Sequence, residues 1–413
     1  MTDLTLSPMD QPLPAAPRSY WGWVGVRLFR PLLVRLCTAY LVLLVLLALF
    51  VPLLANGRPY TCIIPAVAGR AAQREYPLFR DLNSEDWILL VVAAGLAAQG
   101  ISILAAHRLP RRQRMVRQRM SLMLLTAVVL VISSLIAVLH HNRLDATNYH
   151  RLARHGIITQ AIFPPVPWGY AEMEPLGKNL INQLPSRRHW LGTDGDGRDE
   201  LSRLLWGARI AMGVGFVSQI IALALGIIVG ALTGYFGGVF DIIGMRLVEI
   251  VEAVPLLYLI LIFVAIYGRH ILDIMVIIGV TGWTGYARLL RAEFLRIRNL
   301  DYVLAARGAG MPLWRVLFKH MLPNGVTPVL VSAGFGLAGA VTIEASLSYL
   351  GVGVQPPTAS WGAMLNAAGN PATVFRWWQA LGPGLLIFLT VLAFNLIAES
   401  LRDAIDPTTM GRS

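Results

Sequence analysis

One segment between two apolar runs, AARGAGMPLWRVLFKHMLPN (305–324), carries side chains suited to binding another protein rather than to catalysis. Four residues near its start have a methyl side chain or none: Ala305, Ala306, Gly308 and Ala309. Small residues let the backbone of a partner approach closely, and Arg307 and Arg315 could add polar contacts. The alternative is an interfacial linker whose arginines touch anionic lipid. The residues alone leave both interpretations open.

Local signals predict that this segment folds as two short helices. Asp301 is a candidate N-cap for the first helix, and Gly310 stands where a left-handed residue would end it. Pro312 suits the first position of a second helix, which would run to about Leu322. Pro323 would then mark the hinge into the next apolar run.

Acidic residues in or beside apolar runs form a second group, because an acid inside a bilayer is costly and needs a partner or an aqueous path. Arg246, Glu249 and Glu252 lie near one end of an apolar run. They could form a gate or a salt-bridge network, and the favoured alternative is an interfacial pair of Arg246 with Glu249. Glu344 lies late in another run among small residues, where pathway lining and a structural hydrogen bond are equally supported.

Patterns for metal or nucleotide chemistry are incomplete in this sequence. DGDGRDE (194–200) fails the EF-hand pattern, because Arg198 and Asp199 occupy the positions of a ligand and of the required glycine. The favoured alternative there is a turn followed by an N-capped helix. The Gly177-Lys178 pair lacks the GxxxxGK[ST] frame of an ATP site. The sequence therefore predicts no metal site, no cofactor and no hydrolysis by this chain alone.

The composition is that of a polytopic membrane protein. Of 413 residues, 56% are hydrophobic and 14% are charged, whereas a soluble domain carries about 25% charged residues. Apolar runs of about 20 residues can cross the hydrocarbon core of a bilayer. We predict about eight spans: 36–55, 87–106, 121–140, 207–235, 249–268, 270–288, 325–349 and 381–402.

The placement of arginine predicts the orientation of these spans. The net charge of +12 would also suit a nucleic-acid partner, but the basic residues concentrate in loops 107–120 and 288–323, as cytoplasmic loops require. An even number of spans then puts both termini in the cytoplasm and the mixed-charge segment 141–206 on the far side. Trp361 and Gly362 are expected at the outer surface, with the tryptophan as an interface anchor.

The spacing within the basic segment resembles a known signature. Counted from Ala306, a glycine follows at +4 (Gly310) and a Leu-Pro pair at +16 and +17 (Leu322 and Pro323). This is similar to the EAA loop of ABC importer permeases, in which it forms coupling helices that insert into a cleft of the cytoplasmic ATPase. Leu304 departs from the pattern, since the family often has Glu there, so the ionic contact of that Glu is not implied here, while apolar docking is compatible with leucine.

Further segments resemble the dipeptide, oligopeptide and nickel permeases: RRHWLGTDGDGRDELSRLLWGAR (187–209), DIIGMRLVEIVEAVP (241–255), IEASLSYLGVGVQPPTASWGAML (343–365) and LRDAIDP (401–407). Glu249 replaces an Asp of the family pattern. The resemblance covers about 187–407. The two spans within 87–140 look like an inserted hairpin, and FPPVPWGY (163–170) points to the peptide-importing branch.

The resemblance implies an all-α polytopic membrane protein whose last five spans form a type I ABC importer (MetI-like) permease core. The implied organisation has five parts. These are a cytoplasmic N-terminal tail (1–31), an anchor span with an extra two-span hairpin (32–140), a periplasmic segment (141–206), the permease core (207–403) with its coupling loop 289–323, and a cytoplasmic tail (404–413).

The resemblance also implies a permease subunit of an ATP-driven peptide importer in the bacterial inner membrane, working by alternating access. Its implied partners are a second homologous permease, two cytoplasmic ATPases, a periplasmic binding protein and membrane lipid, with no nucleic acid. The matched ATPase-coupling residues are Tyr302, Ala305, Ala306, Arg307, Gly310, Arg315, Leu322 and Pro323. The candidate gate or pathway residues are Arg246, Glu249, Glu252 and Glu344. The alternative function is a proton-coupled secondary transporter that uses Glu344 or Glu252 as the relay.

Overall fold

The computed structural model describes residues 20–65, 73–106, 111–139, 147–173, 181–369 and 375–405. Most of the predicted N-terminal tail, the end of the C-terminal tail, residues 107–110 of the first basic loop and the Gly177-Lys178 pair lie outside the described residues. The described chain is mainly helical, which confirms the predicted fold class.

The helices follow one another along the chain with few strands between them. They are α1 (Tyr20–Leu28), α2 (Leu32–Leu54), α3 (Pro77–Arg80), α4 (Ser84–Ala106), α5 (Arg111–Leu139), α6 (Tyr149–Arg154), α7 (Glu200–Phe236), α8 (Gly238–Ala253), α9 (Leu256–Tyr267), α10 (Ile271–Gly282), α11 (Thr284–Ile297), α12 (Asp301–Gly308), α13 (Leu313–Arg315), a π-helix (Val316–Met321, the π segment), α14 (Leu322–Gly325), α15 (Thr327–Tyr349), α16 (Trp361–Ala368) and α17 (Trp377–Ile405).

Six described helices are long and apolar enough to cross a membrane: α2, α4, α5 over Val116–Leu139, α7, α15 and α17. Helices α8 and α9 make a seventh span if they are counted together, and their axes are bent by 80° relative to each other. The bend falls at Val254 and Pro255, where a proline removes a backbone donor and forces the preceding residue into an extended conformation. The predicted count of eight spans is therefore not confirmed.

The predicted sixth span, 270–288, differs most from expectation. It falls on α10 and on the start of α11, which contain 12 and 14 residues and meet at Trp283. Neither helix alone crosses the hydrocarbon core of about 30 Å, since 12 and 14 residues give lengths of about 18 and 21 Å. Trp283 between them keeps α-helical dihedrals. The physical cause is the glycine- and threonine-rich TGWTGY stretch, which interrupts the apolar run.

Helix α7 is the centre of the described fold and packs against α2, α10, α11 and α15. Three glycines at a spacing of four, Gly226, Gly230 and Gly234, form a seam along α11. A β-carbon at Gly230 would lie 2.6 Å from the carbonyl oxygen of Ala287. Small residues at this spacing let two helices in a membrane approach closely, so α7 and α11 form one closely packed body.

The first three long helices lie at the edge of this body. Helix α2 packs against α7 and α17, and Tyr40 Oη lies 3.0 Å from Thr390 Oγ1 of α17. Helices α4 and α5 form a hairpin that packs mainly against itself, with a smaller contact from α4 to α2. Helices α4 and α5 cover the positions of the predicted second and third spans up to residue 139.

A small antiparallel sheet beyond the end of α2 was not predicted. It contains β1 (Thr61–Ile64), β2 (Gln73–Glu75) and β3 (Thr159–Ile162) in the order β2–β1–β3. Cys62 of β1 is buried in a cluster with Tyr149 and Ile158. Burial raises the pKa of the Cys62 thiol, so it remains protonated at neutral pH.

Trp361 is placed differently from the expectation of an exposed interface anchor. Its side chain is 1% exposed and packs on Gly207 of α7, where a β-carbon would lie 2.5 Å from Trp361 Cδ1. Trp361 Nε1 donates a hydrogen bond of 2.9 Å to the carbonyl oxygen of Leu204. Gly362 is buried as well, against the backbone of Ala345. These contacts fix α16 between α7 and α15.

Candidate functional site

The segment from Asp301 to Gly325 is anchored to the helical body by a strip of buried side chains. Those side chains are Val303, Ala306, Val316 and Met321. Val303, Val316 and Met321 belong to one apolar cluster with Leu290 and Phe294 of α11, which are fully buried. A segment with four buried anchors is a folded part of the protein rather than a loose linker.

The end of α12 has the geometry predicted from Gly310. Gly310 has φ +71, its N–H donates to the carbonyl of Arg307 at 3.0 Å, and the N–H of Met311 donates to the carbonyl of Ala306 at 3.2 Å. This pair of bonds is the Schellman arrangement, which favours glycine at the left-handed position. The predicted glycine stop is therefore confirmed.

The starts of both short helices are displaced by one residue from the prediction. Leu300 rather than Asp301 is the N-cap of α12, and Asp301 is the first helical residue, without a side-chain capping bond. Pro312 is likewise the N-cap of α13 rather than its first residue. An acid in the first turn still interacts favourably with the positive end of a helix, which explains the sequence signal.

The second helix is less regular than predicted. Only Leu313–Arg315 is α-helical before the π segment (Val316–Met321). Helix α14, which contains Pro323, follows the π segment, and Val326 links α14 to α15. A π turn contains one more residue per turn than the surrounding α-helix, and such turns are frequent at functional sites. The connection into the long helix α15 therefore passes through a wide helical turn followed by a proline.

The other side of the segment exposes large apolar side chains. We define the apolar patch as Tyr302, Leu304, Met311, Leu313, Trp314 and Phe318. Trp314 is 61% and Phe318 is 65% exposed. Apolar surface of this extent, with an exposed tryptophan, is typical of a protein–protein contact.

Basic and small residues surround the apolar patch. The side chains of Arg307, Arg315 and Lys319 are exposed. A β-carbon at Gly308 or at Gly310 would meet no atom within 4 Å. The predicted bare face is thus divided, since Ala306 faces the core while its neighbours Ala305, Gly308 and Ala309 are exposed.

Polar contacts tie the segment to the end of α7. The guanidinium of Arg307 lies 5.8 Å from the ring centroid of Tyr235, a cation–π contact. Arg298, between α11 and α12, donates to the carbonyls of Gly234 and Tyr235 at 3.5 and 3.4 Å. Within the segment, Asn324 Nδ2 donates to Tyr302 Oη at 3.3 Å. A force on α12 would therefore reach α7 as well as α15.

The candidate gate residues form separate contacts. Arg246 and Glu249 make an ion pair one helical turn apart, with side chains that are 71% and 56% exposed, and Glu252 pairs with Arg288 of α11. Glu344 is 2% exposed and accepts a 2.8 Å hydrogen bond from Ser348 Oγ. This geometry favours the surface pair and the structural hydrogen bond over a gate, and the described contacts do not join Glu344 to the other three.

The DGDGRDE turn forms an ion-pair cluster at the opposite end of α7. Arg198 Nε donates to Asp194 Oδ2 at 2.7 Å, and both side chains are buried. Asp199 Oδ1 accepts from the Ser202 N–H at 2.7 Å and caps α7, while its Oδ2 lies 2.8 Å from Nδ1 of the buried His189. The predicted turn and N-capped helix are confirmed. Since α7 has 37 residues, this cluster lies about 55 Å along the helix from the end that contacts Arg298.

Sequence reasoning missed two features that position the segment. One is the ion pair between Asp241 of α8 and Arg291 of α11, whose Nη2 lies 2.6 Å from Asp241 Oδ2. The partners are distant in sequence, so no local pattern marks them. The other is the α7 seam, for which the GxxxGxxxG spacing over 226–234 was an available signal.

Comparisons with known proteins place the chain in a family. The family described as "Binding-protein-dependent transport system inner membrane component" matches residues 223–411. An oligopeptide transport system permease of Bacillus subtilis is 38% identical over 253 residues, which cover 61% of this chain and 82% of that protein. A glutathione transport system permease of Pectobacterium atrosepticum is 40% identical over 227 residues, which cover 55% and 75%.

The chain therefore belongs to the family of inner-membrane components of binding-protein-dependent transport systems. It is a multi-pass membrane permease subunit of an ABC importer. A solved inward-facing structure of the MetNI methionine ABC transporter matches 49% of this chain and 96% of that chain, with a TM-score of 0.40 and 19% identity.

Proposed function

We propose that this permease subunit imports peptides by alternating access and that the segment 301–325 couples it to partner ATPases. The observation that carries the proposal is the apolar patch on a segment whose other side is locked into the helical body. Without a partner, exposure of the apolar side chains of Trp314 and Phe318 to water would be unfavourable. Docked in an apolar cleft, they would supply the central anchors of an interface.

The proposed partners follow the family description and the relatives. A periplasmic binding protein would deliver the substrate, a second homologous permease would complete the pathway, and two ATPases would hydrolyse ATP. The oligopeptide and glutathione permeases that are similar to this chain support peptides as the substrate class. Hydrolysis would belong to the partner subunits rather than to this chain.

The proposed orientation puts both termini and the segment 301–325 in the cytoplasm. Support comes from the basic residues of 107–120 and 288–323. The proposed parts are the tail 1–31, the anchor and hairpin 32–140, the periplasmic segment 141–206, the permease core 207–403 and the tail 404–413. The ion-pair cluster that caps α7 would then face the periplasm.

The proposed mechanism uses two connections from the segment. Closure of the ATPases would displace α12, and the π segment with Pro323 would pass this movement to α15. The contacts of Arg298 and Arg307 with the end of α7 would carry it to the α7–α11 body. Because the glycine seam leaves no space between α7 and α11, these helices would move together. In this proposal Tyr302, Ala305 and Gly310 shape the docking surface, and Arg307 and Arg315 provide polar contacts. Ala306 provides buried support and Leu322 provides partly buried support.

The test is a complex reconstituted with its ATPases and its binding protein, in which peptides, nickel chelates and sugars are compared as stimulants of ATP hydrolysis. We expect peptides to stimulate the wild-type complex. The Leu304→Asp/Phe318→Asp variant should insert normally but lose ATPase association and stimulated hydrolysis. Leu350→Asp is the matched control, since Leu350 is 59% exposed at the other end of α15. Normal stimulation in the double variant would contradict the proposed coupling surface, and stimulation by another substrate class would contradict the proposed substrate.

A further inference from the structure

We infer that the basic end of α5 is a binding site for the headgroups of anionic phospholipids. This helix begins RRQRMVRQRM and contains no acidic residue along its whole length, Arg111–Leu139. It lies outside the family match, which begins at residue 223. The proposed orientation uses its arginines, but the proposed transport mechanism gives α5 no part.

The arginines of α5 that the structure describes have no carboxylate partner among the described residues. Arg114, Arg117 and Arg119 form no described ion pair, in contrast to Arg209, Arg288 and other basic residues on the helical body. Arg117 and Arg119 are exposed. Arg114 and Arg117 are three residues apart, and like charges at this spacing repel one another, so an external anion would stabilise this end of the helix.

The position of these arginines along the helix adds to that repulsion. Arg114 closes the first turn of α5, where the helix dipole is positive, and Arg117 and Arg119 follow in the next two turns. Cations are disfavoured at this end of a helix and anions are favoured. The local field therefore selects a negatively charged ligand, and the effect of the dipole adds to the effect of the side-chain charges.

The adjoining surface identifies the anion as part of an amphiphile. One row of α5 presents polar groups and the next row presents exposed apolar groups: Gln113, Arg117 and Ser121 in the first, Val116, Met120 and Leu124 in the second. Residues three and four apart share one face of a helix. A phosphate at the polar row would place an acyl chain along the apolar row.

The length of α5 puts the basic end at headgroup depth. Its apolar part, Val116–Leu139, has 24 residues and none of that window is buried, so it is about 36 Å long and faces lipid. The hydrocarbon core is about 30 Å thick. Arg114 would then lie beyond the core, and Arg117 and Arg119 could extend to the interface because long basic side chains snorkel.

The experiment measures lipid retained by the purified full chain, without ATPases, by native mass spectrometry. Mixed micelles supply equal amounts of phosphatidylglycerol and phosphatidylcholine. We expect wild type to retain phosphatidylglycerol preferentially. The Arg114→Gln/Arg117→Gln/Arg119→Gln variant should lose that preference, by roughly fivefold for each arginine, because each basic residue near an anionic surface contributes about that factor. An Arg→Lys triple variant should keep most of it.

The matched control removes three exposed arginines from the segments beyond α2 and before α7: Arg74→Gln, Arg151→Gln and Arg187→Gln. We expect this control to retain phosphatidylglycerol as wild type does. Added inorganic phosphate at the same concentration should not displace the lipid, since it lacks acyl chains. Equal retention of the two lipids by wild type, or equal loss in the control variant, would overturn the inference. Because no ATPase is present, failure here would leave the coupling proposal standing.

Discussion

Arg291 of α11 holds Asp241 of α8 through two hydrogen bonds, from Nε to Oδ1 and from Nη2 to Oδ2, the second 2.6 Å long. A guanidinium and a carboxylate that pair in this way fix both direction and distance. The contact holds the start of α8, the first helix of the bent pair α8–α9, against α11, which precedes the segment 301–325. Both side chains are less than one third exposed.

We predict that this pair is needed for a stable helical body. Arg291→Gln or Asp241→Asn should lower the thermal unfolding midpoint of the purified protein, because each leaves a partly buried charge without its partner. The charge-exchanged double variant, Asp241→Arg/Arg291→Asp, should recover part of the loss. Arg296→Gln serves as the control, since Arg296 is 63% exposed and such pairs contribute little. A double variant no better than the sum of the single variants would contradict the pairing.

The glycine seam gives a second prediction. Gly230→Ala places a β-carbon 2.6 Å from the carbonyl oxygen of Ala287, so the two helices must separate, at a cost of about 1–3 kcal/mol. Gly339→Ala on α15 meets nothing within 4 Å and should be neutral or stabilising. Unfolding midpoints in the same detergent compare the two variants. Equal midpoints for both would show that α7 and α11 are not in such close contact.

The helix end at Gly310 gives a third prediction. Gly310→Trp adds a large side chain on the exposed side and a β-carbon at φ +71, where a residue other than glycine costs about 1–2 kcal/mol. This cost is too small to unfold the chain, so insertion should be intact while ATPase association and uptake are lost. Gly308→Ala, in open space at an ordinary helical position, should keep both activities. Normal uptake by Gly310→Trp would be inconsistent with docking at this surface.

The thiol of Cys62 provides a prediction about pH. The side chain is 1% exposed, and burial is the main cause of its raised pKa, followed by the charge of Glu75. Since the thiolate is the reactive form, alkylation should be much slower than for free cysteine at pH 8 and should increase only at more alkaline pH. The assay uses a Cys37→Ser background and iodoacetamide, with the denatured chain as the reference. Alkylation as fast in the folded protein as in the denatured one would contradict burial in β1.

Local chemistry made parts of the fold and of the candidate site predictable. Apolar runs identified six helices that could span a membrane, Gly310 marked the end of α12, and Asp199 marked the start of α7. Each signal lies within a few residues of the structure that it specifies. The caps of α12 and α13 were each wrong by one residue, which is the usual precision of boundaries from sequence.

The features that the sequence did not reveal depend on distant partners. The sheet joins β1 to a strand almost one hundred residues later, and Trp361 is buried only because Gly207 leaves room for its ring. The π segment depends on how Val316 and Met321 are held against α11. The predicted sixth span stays unconfirmed, because α10 and α11 are each too short to cross a bilayer and the turn residue Trp283 between them keeps α-helical dihedrals.

The most direct test of the coupling account is a cross-link from the apolar patch to the ATPase. Leu304→Cys, in a chain whose Cys37 and Cys62 are replaced by serine, is combined with partner ATPases that carry single cysteines around their permease-facing cleft. The account predicts a disulfide-linked adduct whose yield changes when ATP is trapped, together with protection of residue 304 from impermeant thiol reagents added outside intact cells. Labelling of residue 304 from outside, or the absence of any adduct in an assembled complex, would contradict it.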